Sequence, residues 1–168
     1  PDGSVALLPA DPDASASAIR ASVQRHAGVD VAIIVSDTMG RPWRDGLTDT
    51  AIGAAGLDVI WDLRGEQDAE GHVLEATVVA VGDELAAAAD LVKGKLAATP
   101  IAVVRGFPYT RVNADRGAKP LIRKADDDMF RRGTREAMAD VVARSAPVTS
   151  QDDGTRGADP GAVSRAVE

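Results

Sequence analysis

The chain has 168 residues, 45% of them apolar and 27% charged, which is typical of a globular protein with one domain. Its formal net charge of −7 argues against non-specific binding to nucleic acid or to a membrane surface. The chain contains no cysteine, which excludes disulfides and thiolate metal sites, and no apolar run approaches the ~20 residues of a membrane span. We therefore expect a cytoplasmic protein without nucleic-acid or membrane partners.

The first predicted elements are a helix and a buried strand. Asp11 supplies an acidic cap, a proline occupies the first helical position and Gly28 provides a stop, which together predict a helix over Pro12–Ala27. An apolar run then predicts a strand over residues 31–36. The glycine-rich stretch at residues 40–56 predicts irregular structure, with residues 50–52 as a candidate extended segment.

The middle of the chain alternates predicted strands with a helix. Residues 57–63, 73–81 and 101–104 are apolar, the second run being rich in β-branched residues, and they predict strands. Residues 83–96 predict the clearest helix, because acidic side chains open it and lysines close it. A last helix is predicted over residues 126–144, with these side chains facing inward: Met129, Phe130, Ala137 and Val141.

The composition changes near the end of the chain. Residues 147–168 are rich in serine, threonine, aspartate, glycine and proline, which is typical of a disordered tail or a linker. We therefore place one domain at residues 1–146. No Rossmann glycine signature is present, so the predicted class is α/β (α+β) with a mixed or antiparallel sheet rather than a doubly wound Rossmann domain.

Residues 36–44, with the sequence SDTMGRPWR, follow the predicted buried strand and carry the most informative chemistry. Asp37 and Thr38 offer a carboxylate and a hydroxyl, the oxygen ligands that Mg²⁺ prefers. Arg41 and Arg44 can bind phosphate or carboxylate oxygens with forked donors. The alternative, equally consistent with these residues alone, is a turn at the end of a strand with solvated arginines.

Lys93, Gly94 and Lys95 end the clearest predicted helix. The glycine would let a phosphate approach the backbone between two ammonium groups, although the residues alone favour an ordinary helix C-terminus. The spacing is not that of a Walker motif. Asp83 and Glu84 could hold a metal ion, but their position at a helix start favours a capping role.

Three segments in order resemble the γ-glutamyl ligase family of coenzyme F420 biosynthesis, and most closely its actinobacterial form, in which the ligase is fused to a flavin-binding nitroreductase-like domain. The resemblance covers roughly residues 6–143. It is carried by SDTMGRPWRDGLTDTAIGAAGL, by DLRGEQDAEGHVLEATVVAVGDELAAAADLVKGK and by TPIAVVRGF.

The resemblance implies an enzyme that adds L-glutamate to the lactyl-phosphate arm of a deazaflavin precursor through an acyl phosphate. GTP is cleaved to GDP and phosphate, and a divalent metal such as Mg²⁺ or Mn²⁺ is required, with K⁺ as a further candidate cofactor. The family's intertwined dimers imply a homodimer. The alternative is a non-catalytic fragment that binds nucleotide or deazaflavin, or that serves only for dimerisation.

The resemblance also assigns roles by position. Asp37 and Thr38 match the family's metal-binding pair, and Lys93, Gly94 and Lys95 match a loop that contacts GTP. Lys95 stands where archaeal relatives have a metal-binding glutamate, which implies a different second metal site or a direct phosphate contact.

Other positions depart from the family pattern. Leu47 replaces an expected polar residue. The family's Gly-Val-Asp-x-Ser-Asn motif, with a metal ligand and a GTP contact, is absent, so we expect the chain to be the C-terminal part of a ligase domain.

Overall fold

The computed structural model describes residues 3, 5, 7–109, 116–128 and 131–145. The chain divides into two compact units, Pro1–Lys124 and Ala125–Glu168. Helices and small antiparallel sheets are both present, which confirms the predicted α+β class. In the part of the chain that is described, no helix has the length and apolarity needed to cross a bilayer. The predicted tail at residues 147–168 lies outside the described residues.

The first helix, α1, spans Pro12–Ala27 as predicted. The Asp11 side chain accepts a hydrogen bond from the backbone N–H of Ala14 at 2.9 Å, so it is the N-cap. Gly28 ends the helix in the left-handed conformation, with φ 70°. Local capping signals therefore fixed both ends of this helix.

A long β-hairpin follows, formed by β1 (Ile33–Arg41) and β2 (Arg44–Ala55). The strands pair antiparallel and are joined by a turn at Pro42 and Trp43. The predicted strand at residues 31–36 thus overlaps only the start of β1. The irregular structure predicted over residues 40–56 is wrong, except that residues 50–52, expected to be extended, lie in β2. The pairing of β2 with β1 satisfies backbone groups despite the glycines in this stretch.

The other predicted strands are much shorter than expected. A two-residue strand β3 (Trp61–Asp62) pairs antiparallel with β4 (Val78–Val79), inside the predicted strands at residues 57–63 and 73–81. Residues 101–104 pair with no strand among the described residues, and Val103 is 72% exposed. β-branched residues favour an extended backbone, but a strand also needs a partner to complete its hydrogen bonds.

The second helix, α2 (Val81–Lys93), packs on the hairpin and ends three residues before the predicted end. Asp83 near its start accepts a hydrogen bond from the backbone N–H of Ala51 at 2.9 Å, so this carboxylate ties α2 to β2. A 3₁₀ helix at Lys119–Leu121 comes later in the same unit. Four buried apolar side chains of this unit form one core cluster, namely Ala54, Leu57, Val59 and Ala118.

The described part of the second unit contains the helix α3 (Thr134–Ser145). It begins eight residues later than the predicted start at 126. Ala137 and Val141 are exposed, so the expectation that they face inward is wrong. Met129 and Phe130 lie outside the described residues.

Candidate functional site

Asp49 on β2 is the centre of a polar cluster where the hairpin meets the end of α2. The residue is 3% exposed. Its Oδ1 accepts hydrogen bonds from Thr38 Oγ1 at 2.7 Å and Lys95 Nζ at 3.2 Å. Its Oδ2 accepts from Ser36 Oγ at 3.0 Å and Lys93 Nζ at 2.9 Å. We call these five residues the Asp49 cluster; they join two strands and a helix end through one carboxylate.

Strand pairing brings the hydroxyls to Asp49. Thr38 lies directly opposite Asp49 in the register of the hairpin. Ser36 precedes Thr38 by two residues, so both side chains point to the same face of β1. Asp37 lies between them and therefore points to the opposite face, where it is exposed.

Gly94 brings the two lysines to the same carboxylate. In a continuous helix, residues two positions apart face different directions. Gly94 instead ends α2 with φ 61° and ψ 165°, and its N–H donates to the carbonyl of Asp90 at 2.9 Å. This positive φ is one that glycine adopts at little cost. The chain therefore turns after Lys93 and returns Lys95 to the hairpin.

The cluster holds its carboxylate in the ionised form. Burial alone would raise the pKa of Asp49, but hydrogen bonds from Lys93, Thr38, Ser36 and Lys95 together lower that pKa far below its ordinary value. The Asp90 carboxylate, and to a smaller extent Asp49, raises the pKa of Lys95. Lys95 is thus charged at neutral pH.

The two lysines differ in exposure. The Lys93 side chain is 16% exposed, and both of its hydrogen-bond partners, Ser36 and Asp49, belong to the cluster. The Lys95 side chain is 56% exposed and also pairs with Asp90 at 2.9 Å. Lys93 therefore fixes the helix end to the hairpin, whereas Lys95 is accessible from solvent.

The two predicted arginines lie at the tip of the hairpin. Arg41 and Arg44 are exposed and face each other across the turn, and Arg41 Nη2 donates to the carbonyl of Asp45 at 3.1 Å. Arg41 lies three positions after Thr38 along β1, which corresponds to roughly 10 Å. The structure thus brings Thr38 together with both lysines, but it places the arginines further along the hairpin.

The described residues do not form a complete metal site. Asp37 and Thr38 point to opposite faces of β1, so their side chains do not converge on one ion. Within the described ranges, no group of three histidine, cysteine, aspartate or glutamate residues lies close enough to hold a metal. The Asp49 carboxylate is close to two ammonium groups, which disfavour a further cation there.

A second polar site is an open cleft of about 750 Å³ beside β3. Its arginines are both paired: Arg64 with Asp62, and Arg116 Nη2 with Asp58 Oδ1 at 3.3 Å. The hydrogen bond from Arg64 lowers the pKa of Asp62 to about 2. The described residues that line the cleft include none of those predicted from the sequence motifs.

Sequence reasoning missed Asp49, although a signal was present. The buried positions of β2 alternate through Asp49, Ala51 and Gly53. An aspartate on the buried face of a strand is unusual, because a buried charge needs partners. The misassignment of residues 40–56 as irregular structure removed the alternation that would have identified it.

A model of the family described as F420-0:γ-glutamyl ligase matches residues 1–106, a range that contains the whole Asp49 cluster. The chain belongs to this family. The match covers more than half of the 168 residues and confirms the resemblance carried by the sequence motifs.

Archaeal members of the family are similar to this chain. A protein named coenzyme F420:L-glutamate ligase from Methanothermobacter thermautotrophicus is 48% identical over 131 residues, which cover 77% of this chain and 52% of that protein. A protein of the same name from Haloarcula marismortui is 48% identical over 137 residues, covering 81% and 52% of the two chains. The chain spans about half the length of these curated relatives.

Proposed function

We propose that this protein acts as a ligase that joins L-glutamate to the deazaflavin precursor of coenzyme F420, with cleavage of GTP and with a divalent metal. The observation that carries the proposal is the family match, together with the similarity to relatives named as coenzyme F420:L-glutamate ligases. The Asp49 cluster supports a role with anionic substrates, because it fixes two charged lysines at one end of a helix.

The reaction proposed from the family resemblance has two steps. The precursor's carboxylate first takes the terminal phosphoryl group of GTP, and the amine of glutamate then displaces phosphate to form an amide. Both substrates are polyanions, so cationic side chains must offset their repulsion. We assign that role to Lys95 and to the arginines Arg41 and Arg44, with Lys93 and Gly94 positioning the loop.

The metal would neutralise phosphate charge and align the reacting groups. We propose that Asp37 supplies one carboxylate ligand, because it is exposed and does not belong to the Asp49 cluster. Thr38 is the weaker candidate, since its hydroxyl already contacts Asp49 and Lys95. Phosphate oxygens of the nucleotide and water would supply further ligands. Mg²⁺ and Mn²⁺ both fit oxygen ligands of this kind.

The test is release of GDP by the full-length protein in the presence of GTP, glutamate, the deazaflavin precursor and Mg²⁺ or Mn²⁺. Asp37→Ala and Lys95→Ala should each reduce turnover by about tenfold or more, the range for loss of a charged substrate contact. Lys124→Ala is the control, because it removes an exposed lysine outside the Asp49 cluster. Turnover that is unchanged in Asp37→Ala would contradict the metal role.

The alternative is that this segment binds substrate or forms a dimer without catalysis. This alternative is supported by the fact that the chain covers only about half the length of each relative. Calorimetry with GTP, metal and precursor separates the two. Binding without GDP release would favour a binding module, and no binding would favour a scaffold. Sedimentation of the same protein would test the expected homodimer.

A further inference from the structure

The ammonium of Lys95 has all of its donors in use. A lysine ammonium carries three N–H groups and no acceptor. Lys95 Nζ lies 2.6 Å from Thr38 Oγ1, 2.9 Å from Asp90 Oδ1 and 3.2 Å from Asp49 Oδ1. An anionic ligand can therefore reach this ammonium by a direct hydrogen bond only if one of the three oxygens gives up its contact.

Asp90 is the partner that can be released at the lowest cost. Asp49 is buried, so it cannot replace a lost lysine with water. Thr38 keeps its own hydrogen bond to Asp49 and adds no charge. The Asp90 side chain is 20% exposed, more than that of Asp49 at 4%, and it can turn to water.

The position of Asp90 in α2 is also unfavourable without a cation beside it. It lies in the last turn of a helix that ends at Lys93. Carbonyl groups carry partial negative charge at that end, so a carboxylate there is disfavoured. Its pairing with Lys95 offsets this repulsion, and an incoming polyanion would have to compete with Asp90 for the same ammonium.

We propose that the Lys95 ammonium exchanges its contact with Asp90 for a di- or triphosphate, and that Asp90 weakens this binding because it competes for the same ammonium. Lys93 stays fixed on Ser36 and Asp49 while Lys95 changes partner. Asp90 is therefore a positioning residue that sets affinity through Lys95, without touching the ligand. The identification of the anion as the phosphates of a nucleotide rests on the proposed function, whereas the competition itself rests only on the three contacts.

The experiment measures pyrophosphate affinity by calorimetry for the full-length protein, without metal. Asp90→Asn should bind pyrophosphate about two- to fivefold more tightly, the range expected when a partly exposed ion pair no longer competes. Lys95→Ala should weaken binding about tenfold or more. In the double variant the gain from Asp90→Asn should disappear, because the competitor then has no ammonium to hold.

Glu84→Gln is the matched control, since it removes one negative charge from an exposed position of the same helix. A general electrostatic effect would tighten binding equally in Glu84→Gln and Asp90→Asn, and that result would overturn the proposal. A gain that persists in the double variant, or no pyrophosphate binding by either the unsubstituted protein or Asp90→Asn, would overturn it as well.

The pyrophosphate measurement tests the competition by Asp90 separately from the ligase activity. If Asp90→Asn behaves as expected but the protein releases no GDP, the proposed function fails and the competition stands. If GDP is released normally but pyrophosphate affinity does not depend on Asp90, the competition fails and the proposed function stands.

Discussion

Replacing Asp49 by asparagine tests whether this carboxylate holds the helix end to the hairpin. The substitution keeps the side-chain volume but removes the charge that the half-buried Lys93 faces at 2.9 Å. The asparagine NH₂ group would also face a donor pair, either Ser36 and Lys93 or Thr38 and Lys95. Breaking a buried ion pair by changing one partner costs roughly 3–5 kcal/mol. We expect about 3 kcal/mol, because the amide oxygen still accepts from the other pair.

The assay is urea unfolding of the full-length protein, followed by circular dichroism. With a typical slope of about 2 kcal/mol/M, the unfolding midpoint should fall by roughly 1.5 M. Asp37→Asn is the matched control on the opposite face of the same hairpin, and its exposed site predicts a change within about 0.5 kcal/mol. Equal midpoints for the two variants would refute the structural role of Asp49.

A double-mutant cycle with Lys93→Met separates the ion pair from general damage to the hairpin. If the pair is the cause, the two substitutions together should cost less than the sum of the single effects by about 1–3 kcal/mol. Each single substitution leaves one member of the pair without its partner, whereas the double variant removes both charges. Simple additivity would mean that Asp49 and Lys93 stabilise the fold independently.

Two further substitutions have distinct expected outcomes. Gly94→Ala requires an alanine at φ 61°, which costs roughly 1 kcal/mol and should weaken pyrophosphate binding by misdirecting Lys95; unchanged affinity would show that the lysine does not depend on this turn. Arg64→Gln should raise the pKa of Asp62 from about 2 toward its ordinary value, as followed by carboxyl NMR shifts. Because the native pKa is lowered, the stability from this pair is present above the ordinary pKa and declines as pH falls toward 2, and a pKa that stays near 2 in the variant would contradict the assigned cause.

The sequence predicted the elements whose signals are local. The signals that bound α1 act within the helix ends themselves, and they predicted both of its terminal residues correctly. They are Asp11, Pro12 and Gly28. Strands depend on partners elsewhere in the chain. The β-branched runs at 73–81 and 101–104 therefore indicated an extended backbone but not which residues would form hydrogen bonds with another strand. The latter segment pairs with no strand among the described residues.

The strand β2 was missed because glycine is ordinarily a turn signal, whereas Gly53 has a packing role within the strand. A Cβ added at Gly53 would lie 2.3 Å from the carbonyl oxygen of Pro12, so only glycine allows α1 to approach β2 this closely. The same stretch contains the aspartate that organises the site. A single error about glycine therefore hid both a long strand and the residue at the centre of the cluster.

The lysines show why a motif can mark a site without giving its geometry. Lys93 and Lys95 belong to one three-residue motif, yet in a continuous helix their side chains would point in different directions. Their convergence depends on the backbone at Gly94, and their shared ion-pair partner is Asp49, more than forty residues earlier. Burial then separates their roles, because Lys93 cannot leave a carboxylate that water cannot reach, whereas Lys95 can exchange Asp90 for a ligand. A polyanion is thus expected to move one lysine while the other keeps the loop in place.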